Sequence, residues 1–175
     1  MPQNQRVKKR YEKAVCDTFI RLYESKFSFY KYGNDKDEPD CFYKLNGKIL
    51  GIEVTTAYYE DIDAKQEWTL RRKERKFSGT GHEERWGGTI KESDQKIFDR
   101  VQKEINCKCK KQYKRASEYI LCIYQNAPLS DDSSNKKMVK KLTISKDCFF
   151  SEIYLLFQTP FHDNGGWRII KIYPR

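Results

Sequence analysis

Asp40 and Glu53 flank the dipeptide Asn46-Gly47, and that arrangement could do metal chemistry. Asn-Gly between two apolar runs is a strong short-range hairpin signal, because both turn positions accept positive φ. A two-residue turn sets Leu45 opposite Lys48, and the same register carried outward sets Asp40 opposite Glu53. Opposed residues on a hairpin share a face, with Cβ atoms about 5 Å apart. Two carboxylates so placed repel each other unless something compensates. A divalent cation is a natural compensation: Mg2+ prefers one or two carboxylates completed by waters and phosphate oxygens. Such an ion activates water and screens charge in phosphodiester hydrolysis. The plainer alternative is that Asp40 ends a loop and Glu53 lies on a half-exposed sheet. Against it stands the neighbourhood: Ile49, Leu50, Ile52 and Val54 make the strand apolar on nearly both faces, and a buried acid needs a partner. The Thr55 hydroxyl, two residues beyond Glu53, shares its face.

A second irregularity lies on a long helix expected over 92–113. Ile97, Val101 and Ile105 form its apolar stripe, and the stripe continues into Lys108 and then Gln112. Lys108 either snorkels to water or points at the two carboxylates, where its charge would stabilise a hydroxide or a phosphorane-like oxygen.

The elements that must position these groups follow from periodicity and turn residues. A helix is expected over 5–25, with Val7, Tyr11, Val15, Thr18 and Leu22 as its stripe. Strands are expected over 27–32, 41–45 and 49–56, with a polar loop at 33–39. A charged helix over 61–76 and a Gly-rich loop over 78–88 precede the long helix. A strand over 119–124, a loop over 125–135, a short basic helix over 136–142, and strands over 153–157 and 167–173 complete the chain. Strands with helices between them indicate an α/β domain with a mixed sheet. There is no internal repeat and no linker, so the 175 residues read as one domain.

Composition narrows the partners. Lys plus Arg number 35 against 25 Asp plus Glu, a net charge of +10, which points to nucleic acid. Three clusters carry the excess: one from Arg71 to Lys76, one of Lys108, Lys110, Lys111, Lys114 and Arg115, and one from Lys136 to Lys141. Each alone is an ordinary solvated face; together, with Trp68, Trp86 and many tyrosines, they favour a nucleic-acid surface. Arg71, Arg72, Lys73, Arg85, Lys110, Lys111, Lys114 and Arg115 are the expected contacts. No apolar run approaches the roughly 18 residues a bilayer span requires, and Met1 to Arg10 lacks the apolar stretch of a secretory signal. A cytoplasmic protein without membrane contact is expected. Cys16, Cys41, Cys122 and Cys148 sit in apolar surroundings, and Cys107 and Cys109 are two apart on a helix and do not face each other. Neither zinc spacing nor a disulfide framework is present, so reduced thiols are expected.

The order helix, Pro39-Asp40, hairpin, Glu53-Val54-Thr55, helix, strand resembles the PD-(D/E)xK, or restriction-endonuclease-like, nuclease superfamily. The resemblance covers about 5–125 and leaves 126–175 as a C-terminal extension of the same domain. It implies an αβββαβ core: a central mixed β-sheet flanked by helices, here with extra C-terminal strands. It implies that Asp40 and Glu53 bind Mg2+ or Mn2+, with the backbone carbonyl of Val54 as a further ligand. It also implies an acid on the first helix, which Glu12 matches, although Glu12 reads equally well as a solvated glutamate. Thr55 stands where the motif has lysine. Members lacking that lysine often bring one from the following helix; this suits Lys108, with Lys103 and Lys96 as alternatives on other faces.

The resulting expectation is a metal-dependent deoxyribonuclease using Asp40, Glu53 and Lys108. Nucleases that cut both strands are often homodimers, which the sequence allows without showing. Two rivals stand beside it. One is an inactive nucleic-acid-binding module of the same fold, if Thr55 marks lost catalysis. The other is a ribonuclease, which His82 and His162 support poorly because they lie far apart in loops.

Overall fold

The first strands are hydrogen-bonded as their turn chemistry requires. In the computed structural model, Asn46 and Gly47 have φ of 49° and 83°, the left-handed conformations a tight hairpin turn needs. The structure describes residues 3–34, 36–58, 90–126, 132–159 and 166–174. The helix expected over 61–76, the loop over 78–88, and Arg71, Arg72, Lys73 and Arg85 lie outside them.

The chain runs through α1 (Gln3–Tyr23), β1 (Ser28–Tyr32), β2 (Cys41–Leu45), β3 (Lys48–Tyr58), α2 (Ile90–Lys108), β4 (Glu118–Asn126), α3 (Asp132–Val139), β5 (Glu152–Gln158) and β6 (Trp167–Tyr173). The strands form one six-stranded sheet in chain order. β1–β2, β2–β3 and β5–β6 are antiparallel, whereas β3–β4 and β4–β5 are parallel. The parallel pairs need crossovers, and α2 and α3 lie in them. This is the mixed-sheet α/β class expected from the sequence, with the order αβββαβ followed by one more helix and two strands.

Strand alternation splits the core in two. Cys41, Tyr43, Leu50, Ile52, Val54, Ile120, Cys122 and Leu156 pack with α1 residues such as Phe19. Ala57, Leu121, Ile123, Ile153, Leu155 and Phe157 pack with Ile97, Val101 and Ile105 of α2. Glu53 and Thr55 alternate with Ile52 and Val54, and therefore face α2. β5 and β6 belong to this same sheet, and Ile153, Leu155 and Ile172 are fully buried.

Four expectations need correction. The buried face of α1 is Tyr11, Val15, Cys16, Phe19 and Ile20, while Leu22 is 41% exposed. At about 100° per residue, 18 and 22 fall beside Tyr11 at one edge of the buried face, which centres instead on Glu12, Val15, Cys16 and Phe19. The second helix stops at Lys108, short of Tyr113, because tertiary hydrogen bonds capture the next backbone groups. The Lys114 amide donates to the Asp37 carbonyl at 2.9 Å and that of Ser117 to Ile49 at 2.8 Å, and Arg115 adopts φ 74°. Cys109, four residues beyond Ile105 and still donating its amide to the Ile105 carbonyl at 2.9 Å, points inward on the same stripe, and its sulfur is bonded to that of Cys148, so these two thiols are not reduced. Cys16, Cys41 and Cys122 are buried and free, and Cys107 is exposed and free. The third helix is Asp132–Val139 instead of 136–142, with an acid in its first turn where the helix dipole favours one. No helix among the described residues is long and apolar enough to cross a membrane.

Candidate metal and phosphate site

Two glycines seat the residue before the first carboxylate. A Cβ on Gly33 would collide with the Pro39 carbonyl, and one on Gly51 would stand 2.8 Å from Pro39 Cγ. Pro39 therefore packs directly onto β3, and the Asp40 carbonyl accepts a hydrogen bond from the Gly33 amide at 3.0 Å. The observed β2–β3 ladder pairs Leu45 with Lys48 and Cys41 with Ile52. Asp40 follows one step beyond, and its Oδ2 accepts the Val54 amide proton at 2.8 Å.

Asp40 lines a cavity of about 560 Å3 between α1, the 33–40 loop, β3 and the end of α2, together with Glu12, Glu53, Thr55 and Lys108. Glu53 and Glu12 are 4% and 8% exposed, too buried for solvated surface acids. Lys108 Nζ donates to Glu53 Oε1 at 2.6 Å, and Lys111 Nζ stands 3.9 Å from the same oxygen. Lys8 pairs with Glu12 at 3.2 Å.

The electrostatics are those of crowded acids. Burial, and then the charges of Glu53 and Glu12, push the Asp40 carboxyl up to about 8, against the opposing pull of the Val54 amide and Lys108. For Lys108, burial works against the charged form, but the charge and hydrogen bond of Glu53 outweigh it and its pKa is raised. The lysine therefore stays an ammonium.

The expected site residues fall into three groups. Asp40, Glu53, Lys108, Glu12, Val54, Thr55, Lys111 and Gln112 all line the cavity. Lys103, Lys96 and Lys110 are exposed and do not line it. Lys114 and Arg115 face acids: Lys114 reaches Asp37 at 3.6 Å and Arg115 reaches buried Glu38 at 3.1 Å. Three participants carry little sequence signal. Glu104 accepts the Thr55 hydroxyl proton at 2.5 Å; its one hint is its position a turn before Lys108. Glu38 lines the cavity and is held by Lys31 at 2.8 Å and by the Asn34 amide at 2.9 Å. Tyr113 also lines it, beyond a helix end that periodicity places too late.

Among the described residues, no three His, Cys, Asp or Glu side chains form a ready-made metal cage. The donor set nevertheless fits a hard cation. Asp40 and Glu53 supply two oxygen ligands whose mutual repulsion a positive ion would relieve, and Mg2+ takes its remaining ligands from water and phosphate.

No family model matches the chain, and no curated protein matches it significantly. Among solved structures the chain is similar to SfsA of Pyrococcus furiosus in complex with Ca2+, at TM-score 0.33 and 10% identity over 95% of this chain. The chain spans 62% of that protein's length. A likeness that distant carries no argument about the chemistry of this site.

Proposed function

We propose that this chain is a divalent-metal-dependent phosphodiester hydrolase acting on nucleic acid, with DNA the favoured substrate. The reading rests on one observation: four acids and a charged lysine, drawn from α1, the 33–40 loop, β3 and α2, face one cavity, where burial and the neighbouring acids raise the pKa of Asp40. In this reading Asp40 and Glu53 hold Mg2+ or Mn2+, with the Val54 carbonyl as a third ligand by the family resemblance. When bound, the ion supplies an acidified water and positive charge opposite the scissile phosphate. Lys108 is the cation beside the attacking water and holds negative charge on its oxygen. Glu12 adds negative potential from α1. Thr55, tied to Glu104, fastens β3 to the turn of α2 that precedes Lys108. Lys111, half exposed at the rim, is placed to meet phosphate.

One observation favours the rival binding module. Thr55 cannot replace a lysine's charge, and Lys108 is already bonded to Glu53. Plasmid cleavage with and without Mg2+ or Mn2+ separates the two. The proposal expects metal-dependent nicking, lost by about 100-fold or more in Asp40→Ala and Glu53→Ala while nucleic-acid binding persists. Binding by the native protein with no cleavage of DNA under any metal would contradict it. Cleavage of RNA alone would move the substrate to the ribonuclease reading.

A further inference from the structure

The Tyr113 hydroxyl is buried and completes no hydrogen bond, although it lies within reach of Glu53. A buried hydroxyl left unsatisfied is costly and uncommon, so it calls for an explanation. The ring cannot readily turn to find one. Tyr113 is 8% exposed, and its ring packs against Tyr119, Phe149 and Phe150 at centroid distances of 6.3, 6.0 and 5.8 Å. Phe149 and Phe150 follow Cys148, whose bond to Cys109 ties this aromatic group to the start of the Tyr113 segment. The hydroxyl is thus fixed at the wall of the cavity. Burial, then the charge of Glu53 and a hydrogen-bonding approach to that carboxylate, keep the hydroxyl protonated, a donor beside Glu53. Glu53 Oε1 is meanwhile occupied by Lys108.

We infer that Tyr113 is a positioning residue for Glu53, a rigid donor that takes over the carboxylate when Lys108 leaves it to serve the attacking water or the phosphate. The inference rests on the reading of Glu53 as a site carboxylate. It accounts for a buried hydroxyl kept without a partner: its acceptor is present but engaged. Charge on Glu53 then stays compensated throughout the exchange, and the carboxylate keeps its orientation as Lys108 withdraws. Groups that orient a metal's ligands in this way typically contribute 10–100-fold to metal affinity or activity.

Thermal melting in metal-free buffer tests the exchange without invoking catalysis. Tyr113→Phe removes only the unpartnered hydroxyl, so in the native background the melting temperature should stay level or rise. In Lys108→Met, where Glu53 has lost its ammonium, the same Tyr113→Phe change should lower melting by several degrees. Equal effects in the two backgrounds would overturn the inference. If Lys108→Met does not fold, Lys108→Gln takes its place in the same comparison. Calorimetric titration with Mn2+ adds a second readout: Tyr113→Phe should weaken Mn2+ binding by about tenfold, and unchanged affinity would count against the inference alone. A native protein that binds no Mn2+ would defeat the proposed function and leave the melting comparison to decide the role of Tyr113.

Discussion

Asp40 carries an energetic cost that its function would explain. Its carboxyl is raised to about 8 by burial, Glu53 and Glu12, so the folded protein holds a proton there that the unfolded chain releases near pH 4. The sign follows from linkage. Between those values the folded state binds more protons, so stability falls as pH rises from about 4 to about 8. Asp40→Asn removes that charge and keeps an acceptor for the Val54 amide. At pH 8 without metal, it should be more stable than the native protein by about 1 kcal/mol or more, measured by urea unfolding, while losing cleavage. Excess Mg2+ should narrow the gap by stabilising only the native protein. Lys108→Ala should act in the opposite sense on stability. It leaves Glu53, 4% exposed, without its closest cation, and should cost about 1–3 kcal/mol as well as activity. Both carboxylates and the lysine were legible from local rules, turn chemistry for the acids and helix periodicity for Lys108. Tyr113 and Glu38 were not: Tyr113 lies beyond a helix end placed too late, and Glu38 is held by Lys31 and the Asn34 amide around a polar loop that no short-range pattern marks.

At the scale of elements, the hairpin and the end of α2 must meet, and small residues decide whether they do. Gly51 admits Pro39 to the surface of β3, where a Cβ would also stand 3.0 Å from the Tyr119 ring. Gly51→Ala should therefore push Pro39 and Asp40 outward, costing about 1–3 kcal/mol and a larger share of the cleavage rate, with metal affinity reduced in parallel. Thr55→Val breaks the link to Glu104 and should lower activity, with Thr55→Ser restoring most of it. The hairpin was readable because Asn46-Gly47 specifies its own geometry. The end of α2 was not: the pattern Ile97, Val101, Ile105 continues smoothly toward Gln112, and only the distant carbonyls of Asp37 and Ile49 stop it. The Cys109–Cys148 bond was hidden because Cys109, four residues beyond Ile105 on the same stripe, reads as an ordinary core residue, and its partner lies 39 residues away.

Across the whole molecule, charge and sheet order set the behaviour. A net charge of +10 predicts nucleic-acid binding that weakens steeply with salt. For about four phosphate contacts the loss should be about 100-fold between roughly 50 and 200 mM, measured by fluorescence anisotropy on a short duplex. The late strands are structural partners of the site-bearing ones: β5 continues the parallel pairing from β4, and Glu152 at its start accepts hydrogen bonds from Lys171 at 2.5 Å and Tyr23 at 3.1 Å. Although burial opposes it, those partners hold the Glu152 carboxyl below its usual value. Their stabilisation is present above pH 4.5 and is lost as pH falls through the lowered value, so Glu152→Gln should flatten the acid limb of the stability curve. Alternation in β5 and β6 was visible in the sequence, whereas their place in the sheet depended on pairing across long separations. The proposed chemistry turns on one point in this architecture, the space shared by Asp40 and Glu53. A crystal soaked in Mn2+, with anomalous difference density measured, addresses it directly. A peak within ligand distance of both carboxylates, with Lys108 displaced from Glu53, is the expected result; density elsewhere, or none with the Lys108–Glu53 pair intact, would contradict metal-dependent hydrolysis at this site.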